Sequence, residues 1–345
     1  MTSAAPSAAP SAVRGLHRAD PRVPGITRVR GAGGVQYLDA SGTQITDAPT
    51  LARIRALAVP PAWRQVWISP DPVSHIQATG VDGAGRVQYR YHQLWREQRD
   101  TQKFEHMLRF AGALPALRAA TLRDLRRRDL DRTRVAASAV RLIDLGLFRL
   151  GGERYAELDH HYGASTLEKQ HVSIGRDGTV FDYVAKEGKH RVVSITDRAL
   201  QATVGALARS DNGLDALFCW QDGDTWRPLH SHDVSAYIAL RAGGHFTAKE
   251  FRTWNATVLM ALLLANAGPP GSARHATVVV NGAVRSVGEW LGDTPAVARS
   301  SYIDPRVIST YASDGGLRSV PVLPARLPAG KQAELAIAAL LSAVR

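Results

Sequence analysis

The chain has 345 residues, 45% apolar and 21% charged, enough for two domains that each bury a core. Its formal net charge is +12 and its pI about 10.2, which favours a polyanionic partner, nucleic acid ahead of acidic lipid. A single cysteine, Cys219, excludes an intramolecular disulfide and a cysteine-based metal site, and no apolar run reaches the roughly 18 residues of a membrane span.

Residues 1–13 are mostly Ala, Pro and Ser without an apolar stretch. They read as a disordered tail, taken here to residue 20, and not as a secretory signal. From Gly25 to about Tyr91 the pattern is short strands with turn punctuation. ITRVRGAGGVQYLDASGTQI alternates around two Gly-rich turns and predicts a hairpin or meander. The first turn, Gly31 to Gly34, is not followed by Gly-Lys-Ser/Thr or by a helix, so it is no phosphate loop. Thr50 to Leu57 predicts a short helix stopped by Pro60-Pro61. VWISPD, HIQATG and GRVQYRYHQ predict three further strands. Residues 21–95 form a small, mostly antiparallel β domain on this reading.

At Trp95 the period changes. Trp95 to Leu117 and Thr121 to Phe148 carry apolar residues at three-and-four spacing and predict helices. Pro115 is expected to break or kink the first near its end. The arginines of ATLRDLRRRDLDRTRV read as a solvated helix face with Asp124, Asp129 and Asp131 as partners. The helix ends before Gly151-Gly152. HVSIGRDGTVFDYVAKEGKHRVVSI has two turns and predicts a three-stranded antiparallel sheet, with Lys186 at its second turn. Helices follow over Asp197 to Arg209, His232 to Ala242, Thr247 to Ala267 and Ala273 to Leu291, and a last one over about Ala329 to Val344. The fold class is α+β: the β domain, then a larger, mainly α domain over 96–345.

Near the C-terminus, Thr294-Pro295 reads as N-cap plus first helical position, and Asp304-Pro305 repeats the device. Tyr302 then sits at the junction of two helices. Arg149 stands in FRLGGERY, Lys186 in the hairpin turn, and Arg252 in the first turns of a long apolar helix. Two arginines, a lysine and a tyrosine suit phosphoryl transfer through a tyrosyl intermediate. A free phenol ionises only near pH of about 10, so it is a weak nucleophile without help. Arginine forks can hold two non-bridging oxygens, and a turn lysine can protonate a leaving oxygen. Taken singly, each residue reads as well as a helix-end cation, a turn lysine, a surface arginine or a half-buried aromatic. His160-His161 and His230-Ser231-His232 lack further ligands at motif spacing. No metal and no cofactor are expected.

FRLGGERY, FDYVAKEGKH, KEFRTWNA and LGDTPAVARSSYIDP, in this order and spacing, resemble the catalytic motifs of the type IB DNA topoisomerases, in their compact bacterial and poxvirus-like branch. PPAWRQVWISPDPVSHIQATGVDGAGRVQYRYH resembles that branch's N-terminal domain. The resemblance covers nearly the whole chain after the tail. It implies a monomer that clamps duplex DNA between two lobes and relaxes supercoils without ATP. It implies that Tyr302 attacks DNA to become 3′-phosphotyrosyl, that Arg149 and Arg252 bind the scissile phosphate, and that Lys186 is the general acid. It further implies DNA contacts by Gln88, Tyr89 and Tyr91, by Arg154 and Tyr155, and a role for Lys249, where related tyrosine recombinases usually have histidine. The setting implied is the cytoplasm, on the nucleoid. For the tyrosines of β character, packing on the pleated face of a strand is the competing reading.

One position departs. Where the family usually has histidine, or in some members asparagine, this chain has Asp293. An ionised aspartate only accepts hydrogen bonds and repels phosphate. It is either protonated by its site, or turned away to help cap the next helix, or the alignment is shifted by a residue. The second reading is preferred, because aspartate is favoured at helix starts. Cleavage is then expected to be weaker than in Asp293→Asn or Asp293→His chains. The competing functions are a tyrosine site-specific recombinase and a DNA-binding homologue with impaired catalysis.

Overall fold

The computed structural model describes residues 15–31, 34–313, 317–323 and 329–344. The chain divides into two compact units, Met1–Phe104 and Glu105–Arg345.

Period-two alternation in the first unit builds β1 (Ile26–Gly31) and β2 (Gly34–Leu38), then α1 (Ala48–Ala56), then β3 (Arg64–Ile68), β4 (Ile76–Val81) and β5 (Val87–Tyr91). The five strands form one antiparallel sheet in the order β2-β1-β3-β4-β5. Paired residues share a face, so the register Ile26–Ile68–Ala78 puts the apolar set on one side. There it packs with Val66 and with Ile54 of α1 to make the core of this unit. Asp47 caps α1 by accepting from the Thr50 amide, and Pro49 follows in its first turn. The Thr27–Trp67–Thr79–Tyr89 row lies on the other face. Part of the Gly-rich turn, 32–33, and residues 1–14 lie outside the described residues. His17, inside the segment read as a tail, is hydrogen-bonded to the backbones of Val73 and His75.

α2 (Gln93–Asp124) corrects the reading at Pro115. The helix continues through the proline, because Phe110, Leu114 and Leu117 are fully buried and that packing outweighs the lost amide bond. The break comes later, at 125–131. There Asp131 caps α3 (Arg132–Gly146) by accepting from the Arg134 amide. The arginine run therefore rounds a corner between two helices and does not lie along one face. Arg127 pairs with Asp131 across this corner, and Asp124 is buried against the Tyr237 hydroxyl.

The remainder of the second unit comprises α4 (Glu153–Asp159), β6 (Val172–Gly175), β7 (Gly178–Ala185), β8 (Lys189–Ile195), α5 (Arg198–Arg209), β9 (Cys219–Asp222), β10 (Thr225–Pro228), α6 (Ser231–Ala242), α7 (Ala248–Ala267), α8 (Ala273–Leu291), α9 (Pro295–Ser301), α10 (Pro305–Ser313) and α11 (Lys331–Ala343). β6-β7-β8 is the expected three-stranded antiparallel sheet. The β9–β10 hairpin was not anticipated. α7 is buried on every face from Phe251 to Leu262, and its buried polar side chains Arg252, Thr253, Asn255 and Thr257 all hydrogen-bond to neighbours.

α11 is fastened to this core by charge as well as apolar burial. Arg118 of α2 grips Asp144 through Nε and Nη2 at 2.8 and 2.9 Å, and Glu334 of α11 through Nη1 at 2.9 Å. Arg118→Ala leaves Glu334 without this cation and Asp144 with only the longer Arg141 contact at 3.5 Å. It is expected to lower stability by about 3–5 kcal/mol, read as a lower urea midpoint.

Candidate active site

Arg149 follows the end of α3. That helix closes at Leu147, whose φ of 54° is left-handed, a conformation costing a branched residue about 1 kcal/mol. The next turn is held by Gly163 against Gly151, where a Cβ on Gly163 would come within 2.5 Å of the Gly151 amide. The Arg149 and Leu150 carbonyls accept from the Ala164 and Ser165 amides at 2.8 and 2.7 Å. The Gly-Gly break thus exists to let two backbone segments meet, and it fixes the root of Arg149.

Arg252 lies on α7, 2% exposed. Its guanidinium donates to the Leu147 carbonyl at the end of α3 and to the Leu291 carbonyl at the end of α8, the latter at 3.0 Å. Both are helix C-termini, where a cation is favoured by unpaired carbonyls. Burial pulls the guanidinium below its ordinary value, against the opposing influence of Tyr302. The guanidinium lies 4.9 Å from the centre of the Tyr302 ring.

Tyr302 closes α9, with its amide on the Ala298 carbonyl at 3.1 Å. Thr294 caps α9 through its hydroxyl, and Pro295 takes the first position. The Tyr302 carbonyl accepts from the Thr257 hydroxyl at 3.2 Å, and the same hydroxyl accepts from the Asp304 amide at 3.1 Å. α7 therefore sets both the tyrosine, through Thr257, and the arginine beside it.

Asp293 is the correction. It does not turn away, and Thr294 is the cap of α9. The Asp293 carboxylate is enclosed and bridges the two arginines, accepting from Arg149 Nη2 at Oδ1 and from Arg252 Nη2 at Oδ2, each at 2.7 Å. Gly292 turns the chain here with a φ of 64°, and a Cβ on it would meet Arg191 Cδ at 2.9 Å. Two cations from distant parts of the sequence thus converge on one carboxylate beside a tyrosine ring.

Known proteins are similar to this chain in sequence. A family described as eukaryotic DNA topoisomerase I, catalytic core, matches residues 92–313, and one described as bacterial DNA topoisomerase IB, N-terminal domain, matches residues 34–82. The chain belongs to the type IB DNA topoisomerases. It is 28% identical over 298 residues to DNA topoisomerase 1B of Acanthamoeba polyphaga mimivirus, across 84% of this chain and 88% of that protein. It is 27% identical over 192 residues to DNA topoisomerase 1 beta of Arabidopsis thaliana, across 55% of this chain and 20% of that protein.

Among the described residues, none of the other predicted residues of this topoisomerase is hydrogen-bonded or ion-paired to the arginine–carboxylate cluster. Lys186 is exposed at the tight turn between β7 and β8, where Glu187 has a φ of 67°, and it makes no hydrogen bond or ion pair to the cluster. Lys249 is exposed in the first turn of α7. Arg154 and Tyr155 are exposed on α4, Tyr155 to 62%. On β5, Tyr89 and Tyr91 are 46% and 37% exposed, with stacked rings 5.8 Å apart. They are not packed away on the pleat. Gln88 donates to Asp82 at 2.9 Å.

Besides Thr257, two more residues at the site escaped the sequence reading. Arg191 of β8 donates to the Trp290 and Gly146 carbonyls at 2.9 and 3.4 Å, and to the Tyr183 hydroxyl at 3.3 Å. It ties the same two helix ends as Arg252. Burial pushes the Tyr183 phenol up, opposed by Arg191, Arg252 and Arg149. Neither residue has a local pattern that sets it apart from an ordinary strand position. Among the described residues no group of three or more His, Cys, Asp or Glu could hold a metal ion, and no helix is long and apolar enough to cross a membrane.

Proposed function

We propose that this type IB topoisomerase relaxes supercoiled duplex DNA by cutting and resealing one strand through Tyr302, without ATP or metal. The convergence of Arg149 and Arg252 on a single anion position beside the Tyr302 ring carries this reading. The Tyr302 oxygen attacks phosphorus and releases its proton to solvent, the bond to the 5′ oxygen breaks, and Lys186 gives that oxygen a proton. One ester replaces another, so resealing is the same step reversed and needs no nucleotide. The two arginines neutralise the charge that grows on the non-bridging oxygens.

Tyr89, Tyr91, Gln88, Arg154, Tyr155 and Lys249 are assigned to duplex contacts. Exposed aromatics and cations suit that role, and binding should weaken steeply with salt. The assembly is a monomer on the nucleoid. α11, bound by Arg118 and by the Arg306 donation to the Leu341 carbonyl at 2.9 Å, is docked on its own unit, which argues against a segment exchanged between recombinase protomers.

The test is relaxation of a negatively supercoiled plasmid in EDTA without ATP. Relaxation is the expected result. Binding without relaxation would sink the reading and favour a lapsed DNA-binding homologue. Lys186→Ala is expected to slow cleavage by about 10²–10⁴-fold. Replacing the leaving 5′ oxygen by sulfur, which departs without a proton, is expected to restore it. A Lys186→Ala chain equally slow on the sulfur substrate would remove the general-acid role.

A further inference from the structure

The first unit carries a cluster of cations with no anion to meet them. Arg28 and Arg30 of β1 and Arg64 at the start of β3 line a cavity of about 500 Å³, walled further by Pro61, Trp63 and Gln65. Among the described residues none of these three arginines forms an ion pair. Elsewhere in the unit Arg22 and Arg86 hold the carboxylates of Asp20 and Asp82. Arg28 donates to the carbonyls of Val59, Pro60, Pro61 and Trp63, the last at 2.7 Å. These bonds fix the guanidinium and the loop, but neutral carbonyls leave its charge uncancelled. Arg30 donates to the Pro61 carbonyl through Nη2 at 3.2 Å, which leaves its Nε and Nη1 unclaimed. Arg64 is exposed and makes no hydrogen bond or ion pair among the described residues. Most donors of Arg30 and Arg64 are therefore open to an incoming anion.

The backbone aims Arg64. In a regular strand, residues three apart lie on opposite faces, which would set Arg64 against the face of Trp67. The register of β3 on β4 shifts between these two residues, and Gln65, inside the shift, has a φ of 50°. A bulge of this kind re-aims a side chain, and a non-glycine residue stays in the left-handed region only where its surroundings hold it. The shifted register pairs Arg64 with Val81, and Val81 with Val87. Trp67, Thr79 and Tyr89 form the next row. Val81 stands two residues from Thr79, and Val87 two from Tyr89, so both rows share one face. Arg64 is thus brought to the face of Tyr89 and Tyr91, one row along, about 7 Å away.

Resting on the duplex contacts assigned above to Tyr89 and Tyr91, we propose that Arg64 and Arg30, with Arg28 as a fixed third cation, form a groove for the phosphates of the DNA backbone. A guanidinium fork takes two non-bridging oxygens of one phosphate. A distance of about 7 Å spans roughly two steps of one DNA strand, so the arginines hold phosphates flanking the stretch that the tyrosines touch. Duplex DNA is the favoured polyanion because the groove continues a face already assigned to DNA. The groove carries no sequence information of its own, since phosphates are the same at every step.

The experiment measures binding of a short fluorescent duplex to the Tyr302→Phe chain by anisotropy, from about 50 to about 200 mM salt. Arg64→Ala, Arg30→Ala and the double variant are made in that chain. Each lost phosphate contact is expected to flatten the log–log salt slope by about 0.9, and the double variant by about 1.8. At about 0.1 M salt each single variant is expected to bind roughly eightfold more weakly. Arg22→Ala removes the same charge outside the groove and is expected to keep the slope. An unchanged slope in the double variant overturns the proposal. So does an equal flattening in Arg22→Ala, which marks a general charge effect. If Arg30→Ala does not fold, Arg64→Ala carries the test alone, since Arg64 holds nothing in the fold. Vesicles of mixed neutral and anionic lipid are the second probe. Vesicle binding that needs Arg64, with the DNA slope unmoved, overturns the proposal and gives the groove to a membrane. Tyr89→Ala/Tyr91→Ala removes no charge and is expected to weaken binding at an unchanged slope. If it binds as its parent while the arginine variants lose slope, the tyrosine contacts fall and the groove stands. Plasmid relaxation by the native chain with an unmoved slope in the double variant removes the groove and leaves the topoisomerase mechanism in place.

Discussion

Tyr302→Phe is expected to bind plasmid as the native chain does and to leave it fully supercoiled. The substitution removes one oxygen and with it the hydroxyl's contact to Arg252, but not what holds the backbone and ring. The Tyr302 amide stays on Ala298, its carbonyl stays on Thr257, and the ring keeps its place beside the Arg252 guanidinium. The fold of α9 and α10 depends on Thr294 and Asp304, not on the phenol. A water molecule in its place would attack without the positioning that the chain supplies, and would yield a nicked strand that cannot be resealed. Loss of a nucleophile costs at least about 10⁴-fold in comparable enzymes. Plasmid relaxation measures the rate, and denaturing electrophoresis after a detergent quench shows whether protein remains bonded to DNA. Relaxation within tenfold of native, or an adduct that survives the substitution, would move the nucleophile elsewhere. Tyr183, buried among the same arginines, would be the first residue to examine.

Features with short-range causes were legible in the chain. Thr294-Pro295 and Asp304-Pro305 announce helix starts through cap chemistry, and Tyr302 is where they place it, between α9 and α10. The three strands around Lys186 follow from alternation and two turns. Pro115 misled because helix breaking is a local cost, and three fully buried residues on one face of α2 outweigh it. The start of α3 was misplaced for a related reason. Asp131 belongs to a charge run when read by spacing, but its carboxylate is used on the Arg134 amide. Asp293 misled most. Aspartate does favour helix starts, yet the adjacent threonine takes that duty. The groups that claim the carboxylate lie far away in sequence, on the turn after α3 and on α7. Arg191, Tyr183 and Thr257 act through the same kind of distant contact, so no local pattern marks them.

Arg252→Ala is expected to lose both activity and stability, whereas Arg149→Ala loses activity with the smaller loss of stability. The two arginines share Asp293 but differ in what else they hold. Arg149 is part-exposed, with 24% of its side chain accessible, and its bond to Asp293 is its one ion pair among the described residues. Arg252 is enclosed and joins the last carbonyls of α3 and α8. Removing it strands two buried acceptors and leaves Asp293 with one partner. Breaking a buried charged cluster from one side costs about 3–5 kcal/mol. Losing a charge-stabilising donor at the reacting phosphate costs about 10²–10³-fold in rate. Arg252→Lys keeps the charge but not the planar fork. It cannot reach two helix ends and a carboxylate together, so it should recover little of either loss. Urea midpoints and single-turnover cleavage of a duplex, measured on all three chains, separate the effects. If Arg252→Ala unfolds at the native midpoint, the helix ends are held without it. The phosphate would then be the sole reason for a guanidinium at this depth.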